Sequence, residues 1–139
     1  MNNTPHDHSY KNLIQRAAAV VKSHTVKGGL IGDVGCALLT HDDQIFTGVC
    51  AATGSNVFCA EKNALGSLLT TGVYIFRAIV AVWKDEEGKV FVIAPCGNCR
   101  QFMYETSDKN LEAEVVLSAE KTVTLRELLP VASSWEPVE

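Results

Sequence analysis

No run of apolar residues in this 139-residue chain reaches the roughly 20 that a membrane-spanning helix requires. The opening residues, 1–9, are polar and lack the apolar segment of a secretory leader. No membrane association is expected, and the expected compartment is the cytoplasm. Basic residues are outnumbered, 12 against 16 acidic ones for a formal net charge of −4, and they form no patch. A polyanionic backbone would be repelled on average, so the expected partner is a small molecule and not a nucleic acid. Repeats, low-complexity tracts and linkers are also missing. Residues 10–139 therefore read as one domain behind a disordered tail, residues 1–9. The glycines of Gly28–Gly35 include no Gly-Lys-Ser/Thr and no dinucleotide fingerprint. That stretch reads as a loop, or a turn approaching a substrate or a neighbouring subunit.

A hydrophobic content of 47% suffices for a packed core. Tyr10, Leu13, Ile14, Ala17 and Val21 recur at helical spacing and predict a helix ending near Ser23. Val34–Thr40 and Gln44–Cys50 read as strands joined by a turn at His41-Asp42-Asp43, and Ala51–Phe58 as a loop. A helix is expected from about Cys59 to Gly72. The nearly continuous apolar run Ile75–Trp83 predicts a strand covered on both faces. Val90–Ala94 is a further strand that Pro95 ends. A short helix follows from about Gly97, then a strand at Glu114–Leu117 and a helical turn at Leu125–Leu129. Strands alternating with helices predict an α/β fold, and the hairpin makes its sheet mixed.

The five cysteines of a chain expected in a reducing compartment point to metal or catalytic use over disulfides. Cys59-Ala60-Glu61 and Pro95-Cys96-Gly97-Asn98-Cys99 offer three thiolates to one Zn²⁺ and leave its fourth position open, as catalysis needs. Glu61 lies two residues from the first ligand, free to carry protons. This is the pattern of zinc nucleobase deaminases, where bound zinc supplies an activated water at neutral pH. Both cysteine groups fall where a helix should begin, so unpaired N–H groups favour the thiolates. Lys62 and Arg100 stand next in sequence and would offset the negative charge of three thiolates. A purely structural zinc site would need a fourth ligand. Cys36, Cys50 and the histidines supply no second Cys-x-x-Cys or His-x-x-x-His. A redox pair at Cys96 and Cys99 would leave Cys59-Ala60-Glu61 unexplained. His6 and His8 read as solvated tail residues, Cys36 as a small buried hydrophobe and Trp83 as core.

On Ile45-Phe46-Thr47-Gly48-Val49, the two cysteine motifs with Arg100-Gln101, and Arg126-Glu127-Leu128-Leu129-Pro130, the chain resembles the cytidine deaminase family, and within it the blasticidin S deaminase branch. The resemblance runs from the first helix to Trp135. It implies a three-layer α/β sandwich, with a mixed five-stranded sheet and helices on both faces. It also implies one Zn²⁺ per subunit on Cys59, Cys96 and Cys99, with Glu61 as the catalytic acid and base. The implied reaction replaces an exocyclic amine by a carbonyl and releases ammonia. A homotetramer is implied, with active sites completed by neighbouring chains. Substrate contacts are expected from Phe46, Cys50, Ala52, Asn56, Ala60, Pro95 and Trp135. A member of this fold that kept zinc and lost catalysis is the alternative, and Glu61 discriminates, because a scaffold needs no carboxylate beside the metal. A polynucleotide-editing deaminase is disfavoured by charge and size.

The departures concern the sugar half of the substrate. After Thr-Gly-Val the cytidine enzymes carry Asn-x-Glu, which holds the ribose hydroxyls, and here those positions are Cys50 and Ala52. The segment from Val49 to Cys59 has the shorter length of the blasticidin S branch, but without that branch's Asn and following aromatic. Its C-terminal tyrosine position is Ser133, while Trp135 is kept. Thr53, Ser55 and Asn56 are either new polar contacts or ordinary turn residues. Plain cytidine is accordingly expected to be a poor substrate of this chain relative to the family norm. Steady-state kinetics check this, and efficient turnover with a KM near the micromolar range would refute it.

Overall fold

A computed structural model describes residues 10–138. The expectations for the tail, His6 and His8 lie outside them. Helix α1 (Lys11–Ala19) is followed by strands β1 (His24–Val26), β2 (Gly29–Leu39), β3 (Ile45–Thr53) and β4 (Val57–Phe58). Then come α2 (Ala60–Thr70), β5 (Ala78–Lys84), β6 (Val90–Ile93) and α3 (Gly97–Thr106). A 3-10 helix (Asp108–Glu112), β7 (Glu114–Ser118), β8 (Lys121–Thr124) and α4 (Leu125–Leu128) complete the chain. The sheet runs β4-β3-β2-β5-β7-β8, with β1 beside β2 and β6 beside β5. Among the described residues only β5 and β7 pair in parallel; the other pairs are antiparallel.

Strand periodicity sorts the core into two layers. Cys36, Leu38, Ile79, Ala81 and Val115 pack under α2 and α3 with Leu65, Leu68 and Met103. Their neighbours Ala37, Ala78, Val80, Val82 and Val116 pack under α1 with Leu13 and Ala17. The result is helix layer, sheet, helix layer. Ala78–Val82 is buried throughout, as its apolar run predicts, but Trp83, read as core, is 40% exposed at the end of the strand. Each fully buried Leu, Ile or Met contributes about 1.5–3 kcal/mol. Asn110 has no exposed surface and ties the segment before β5 to the second half of α3. Its amide donates to the Tyr74 and Met103 carbonyls, and its Oδ1 accepts from the Phe76 N–H.

Several boundaries differ from those expected. Among the described residues the sheet has eight strands where five were expected: β2, β3, β5, β6 and β7 are the expected five, and the short β1, β4 and β8 are the additions. The first helix stops at Ala19, because Lys22 N–H turns to the Gly32 carbonyl and the chain continues as β1. Gly28–Gly35 is not a loop. Gly29–Ile31 pairs with Ala51–Thr53, and a bulge interrupts the ladder between Ile31 and Gly35. Gly32 occupies that bulge at φ +88°, a left-handed conformation that costs glycine little. Ala51–Phe58 is not a loop either, since β3 extends to Thr53 and turns through residues 54–56 into β4. The strand expected from Ile75 starts at Ala78. The 3-10 helix and β8 lacked a clear pattern: five polar-rich residues in one, and a short alternation in Lys121–Thr124 in the other.

Gly48 sets how closely β3 approaches the start of α2. A Cβ there would lie 2.5 Å from the Ala64 nitrogen and 2.9 Å from the Ala60 carbonyl oxygen. Gly48→Ala should therefore push α2 outward and destabilise the fold by about 1–3 kcal/mol. A lowered midpoint of urea unfolding, with the wild-type denaturant slope, is the expected result.

Candidate metal centre

Two helices begin at the same place on the sheet, and each begins with a cysteine. Cys59 caps the N-terminus of α2 and Cys96 that of α3, both in extended conformation, and neither uses its side chain as a conventional cap. Cys99 lies within the first turn of α3 and is fully buried. The three sulfurs lie within 4.8 Å of one another, and Cys59 and Cys96 are 3.8 Å apart. A tetrahedron built on Zn–S bonds of about 2.3 Å has edges of about 3.8 Å. The donor set is all thiol, which suits zinc, and three donors leave one tetrahedral position open. Cys59, Cys96 and Cys99 therefore fit a single Zn²⁺.

The electrostatics of the metal-free cluster follow from where each sulfur sits. Burial pushes the Cys59 thiol up. It pushes the Cys99 thiol well above its ordinary range, with the Glu61 charge adding to the effect. Burial acts the same way on Cys96, but hydrogen bonds from the Cys99 and Asn98 amides and from the neighbouring thiols outweigh it, and that thiol lies below its ordinary value. Glu61, in the first turn of α2, is only 5% exposed, and burial raises its carboxyl above the usual range. Glu61 lines a narrow cleft with Pro95, Ala81 and Ile93.

The residues named from sequence fall into three groups. Ala60 and Pro95 are buried beside the cluster's own residues. Phe46 and Cys50 pack against the core layer that contains Cys99 and Ala60, while Ala52 is exposed further along the same strand. Asn56 sits in the β3–β4 turn, where its carbonyl accepts from the Thr53 N–H and its side chain donates to Ser55 Oγ. Trp135 is 92% exposed. Lys62 places its ammonium 5.7 Å from the centroid of the Phe102 ring. Arg100 donates to the carbonyls of Pro95 and Leu128, tying the loop before α3 to α4.

Residues 7–115 match the family described as the cytidine and deoxycytidylate deaminase zinc-binding region. The chain belongs to the cytidine deaminase family. A blasticidin-S deaminase of Bacillus cereus is 34% identical over 105 residues, 70% of this chain and 74% of that protein. A probable cytidine deaminase of Dictyostelium discoideum is 39% identical over 77 residues, 54% of this chain and 50% of that protein. This chain thus matches half the length of the Dictyostelium protein. The crystal structure of cytidine deaminase from Burkholderia pseudomallei superposes with a TM-score of 0.68 at 30% identity, covering 94% of this chain and all of that one (100%). The fold and the three-thiol cluster are those of a zinc-binding deaminase domain.

One neighbour of the site was read only in part from the sequence, and another not at all. Cys36, read as a buried hydrophobe, is fully buried, but its thiol also feels the charges of Glu61 and Cys99. Asp33 accepts a hydrogen bond from the Cys50 thiol at 2.9 Å. The only signal for it was a lone acid after Gly32, and the bulge that aims it leaves no mark in periodicity.

Metal uptake must displace protons from thiols that burial keeps neutral, so affinity should rise with pH. Competition with a chromophoric zinc chelator should show weaker retention at about pH 6 than at about pH 8. Cys99→Ser should lose most of its zinc at either pH.

Proposed function

We propose that the chain is a zinc-dependent hydrolytic deaminase. It replaces the exocyclic amine of a cytosine-type nucleoside, or of a related small amino-heterocycle, with a carbonyl and releases ammonia. The observation that carries this reading is a buried carboxylate, Glu61, in the helical turn that follows a thiol ligand, its charge felt by Cys59 and Cys99. A scaffold kept for its zinc has no use for a desolvated acid in that position. The names of the two relatives support the substrate class, one a probable cytidine deaminase and one a blasticidin-S deaminase.

Cys59, Cys96 and Cys99 would hold the zinc, whose contribution when bound is an activated water at neutral pH. Glu61 would take the proton of that water and pass it to the ring nitrogen beside the reacting carbon. Glu61 would then take the remaining proton of the added hydroxyl, whose oxygen becomes the carbonyl, and give it to the departing amine, so that a carbon–oxygen bond replaces a carbon–nitrogen bond and ammonia leaves. Burial raises the carboxyl of Glu61 above the usual carboxylate range, which is the direction that helps a group both take and give a proton. Pro95 and Ala60 would wall the ring. Arg100 holds the Pro95 carbonyl in place from behind.

The chain is proposed to act in the cytoplasm on a small molecule, as a homotetramer. The exposed apolar side chains Val57, Phe58, Val131 and Trp135 support association, and none of the described helices is long and apolar enough to cross a membrane. Sedimentation of the purified chain tests the assembly.

Ammonia release from the zinc-loaded protein, offered cytidine, deoxycytidine, cytosine, blasticidin S and other amino-heterocycles, tests the activity. Glu61→Ala should keep its zinc and lose about 10²–10⁴ in rate. Equal ammonia release by wild type and variant would remove Glu61 from the mechanism, and zinc binding without any turnover would favour the scaffold.

A further inference from the structure

The bulge in β2 and the strand facing it bring a carboxylate, Asp33, against Cys50, one of the expected substrate contacts. Phe46 and Cys50 of β3 point into the layer under α2 and α3, and Gly48 between them touches the α2 backbone. Alternation puts Ala52 on that same face. Further along, Ala51 pairs with Phe58, the residue before Cys59, so β3 passes about one strand spacing, ~4.8 Å, from the metal-ligand segment. Opposite Cys50 the ladder is broken, and the amides of Gly32 and Val34 face its sulfur. Asp33, half-buried between them, meets that sulfur from the same side at 2.9 Å.

The carboxylate has capacity to spare. Among the described residues Asp33 makes no ion pair, and its one side-chain hydrogen bond comes from a weak donor, a thiol. A carboxylate that is partly desolvated without a cation leaves free energy to be recovered by one. Cys50, which meets Asp33, and the chain neighbours of Asp33, Gly32 and Val34, have no positive charge to give.

We propose that Asp33 is the specificity-determining residue of this site, selecting an amino-heterocycle that bears a cationic amine on the side away from the reacting amine. The inference rests on the deaminase reading above and names its substrate class more closely. Cys50 holds the carboxylate in place, and Ala52, two residues on along the same face of β3, is exposed and small.

Two near-isosteric probes test it, 1-(2-aminoethyl)cytosine, which is cationic, and 1-propylcytosine, which is neutral. Wild type should favour the cationic probe in kcat/KM by about tenfold or more, the scale of a hydrogen bond to a charged group. Asp33→Asn should erase that preference, and Asp33→Glu, which keeps the charge, should retain much of it. The same ratio is read as Kd by calorimetry on zinc-loaded Glu61→Ala, which needs no turnover. A preference that vanishes with the Asp33 charge supports the proposal. A wild type indifferent to the amine, or a preference that survives Asp33→Asn, overturns it. Turnover of neither probe alongside a charge-dependent Kd ratio would count against the deaminase reading while upholding the role of Asp33 in binding.

Discussion

Three sulfurs from segments 37 residues apart have to share one coordination sphere, and the architecture is arranged around that requirement. Two helices must start at the same end of one sheet, and the starts must be fixed against the strands to within a fraction of a bond length. For α2 this comes from the contact of Gly48 with the helix backbone, reinforced by the Asn63 side-chain amide donating to the Val49 carbonyl. For α3 it comes from Arg100, whose guanidinium reaches the carbonyl just before the first cysteine of the pair. The sheet supplies the common reference, because β5 pairs with β2 on one edge and with β6 and β7 on the other.

The same placement explains why these cysteines are suited to a metal. Helix N-termini offer unpaired amides, and those amides lower the Cys96 thiol in spite of its partial burial. Cys99, one turn inside, lacks that access and prefers to stay protonated. A cation is what reconciles the two environments. Glu61 belongs to the same balance: a second negative charge so close to the thiols is tolerable while it is protonated or while a metal offsets it.

Much of the site was legible in the sequence, and the reason is local. Cys-x-x-Cys and Cys-x-Glu fix much of their own geometry once a helix starts on them, so their spacing, together with the family resemblance, pointed to the metal cluster and to the acid beside it. The core of the sheet was legible for a similar reason, since Ala78–Val82 can be apolar on every residue only if both faces are covered. What stayed hidden depends on partners distant in sequence. The Gly28–Gly35 stretch has the composition of a loop, and only its ladder to Ala51–Thr53 makes it a strand. β8 owes its existence to β7. Asp33 could not be placed at all, because its meeting with Cys50 needs a bulge on one strand and the register of another.

The side chains of two consecutive residues on α3 reach the last stretch of the chain. Arg100 donates to the Leu128 carbonyl, and Gln101 donates to that of Ala132. The same Arg100 side chain also holds Pro95, next to a sulfur donor. Local opening of α4 and the residues after it would release one of these anchors, so amide exchange in the first turn of α3 should follow fluctuations of a segment some thirty residues downstream. Fraying at the end of the polypeptide is thereby coupled to the rigidity of its metal loop.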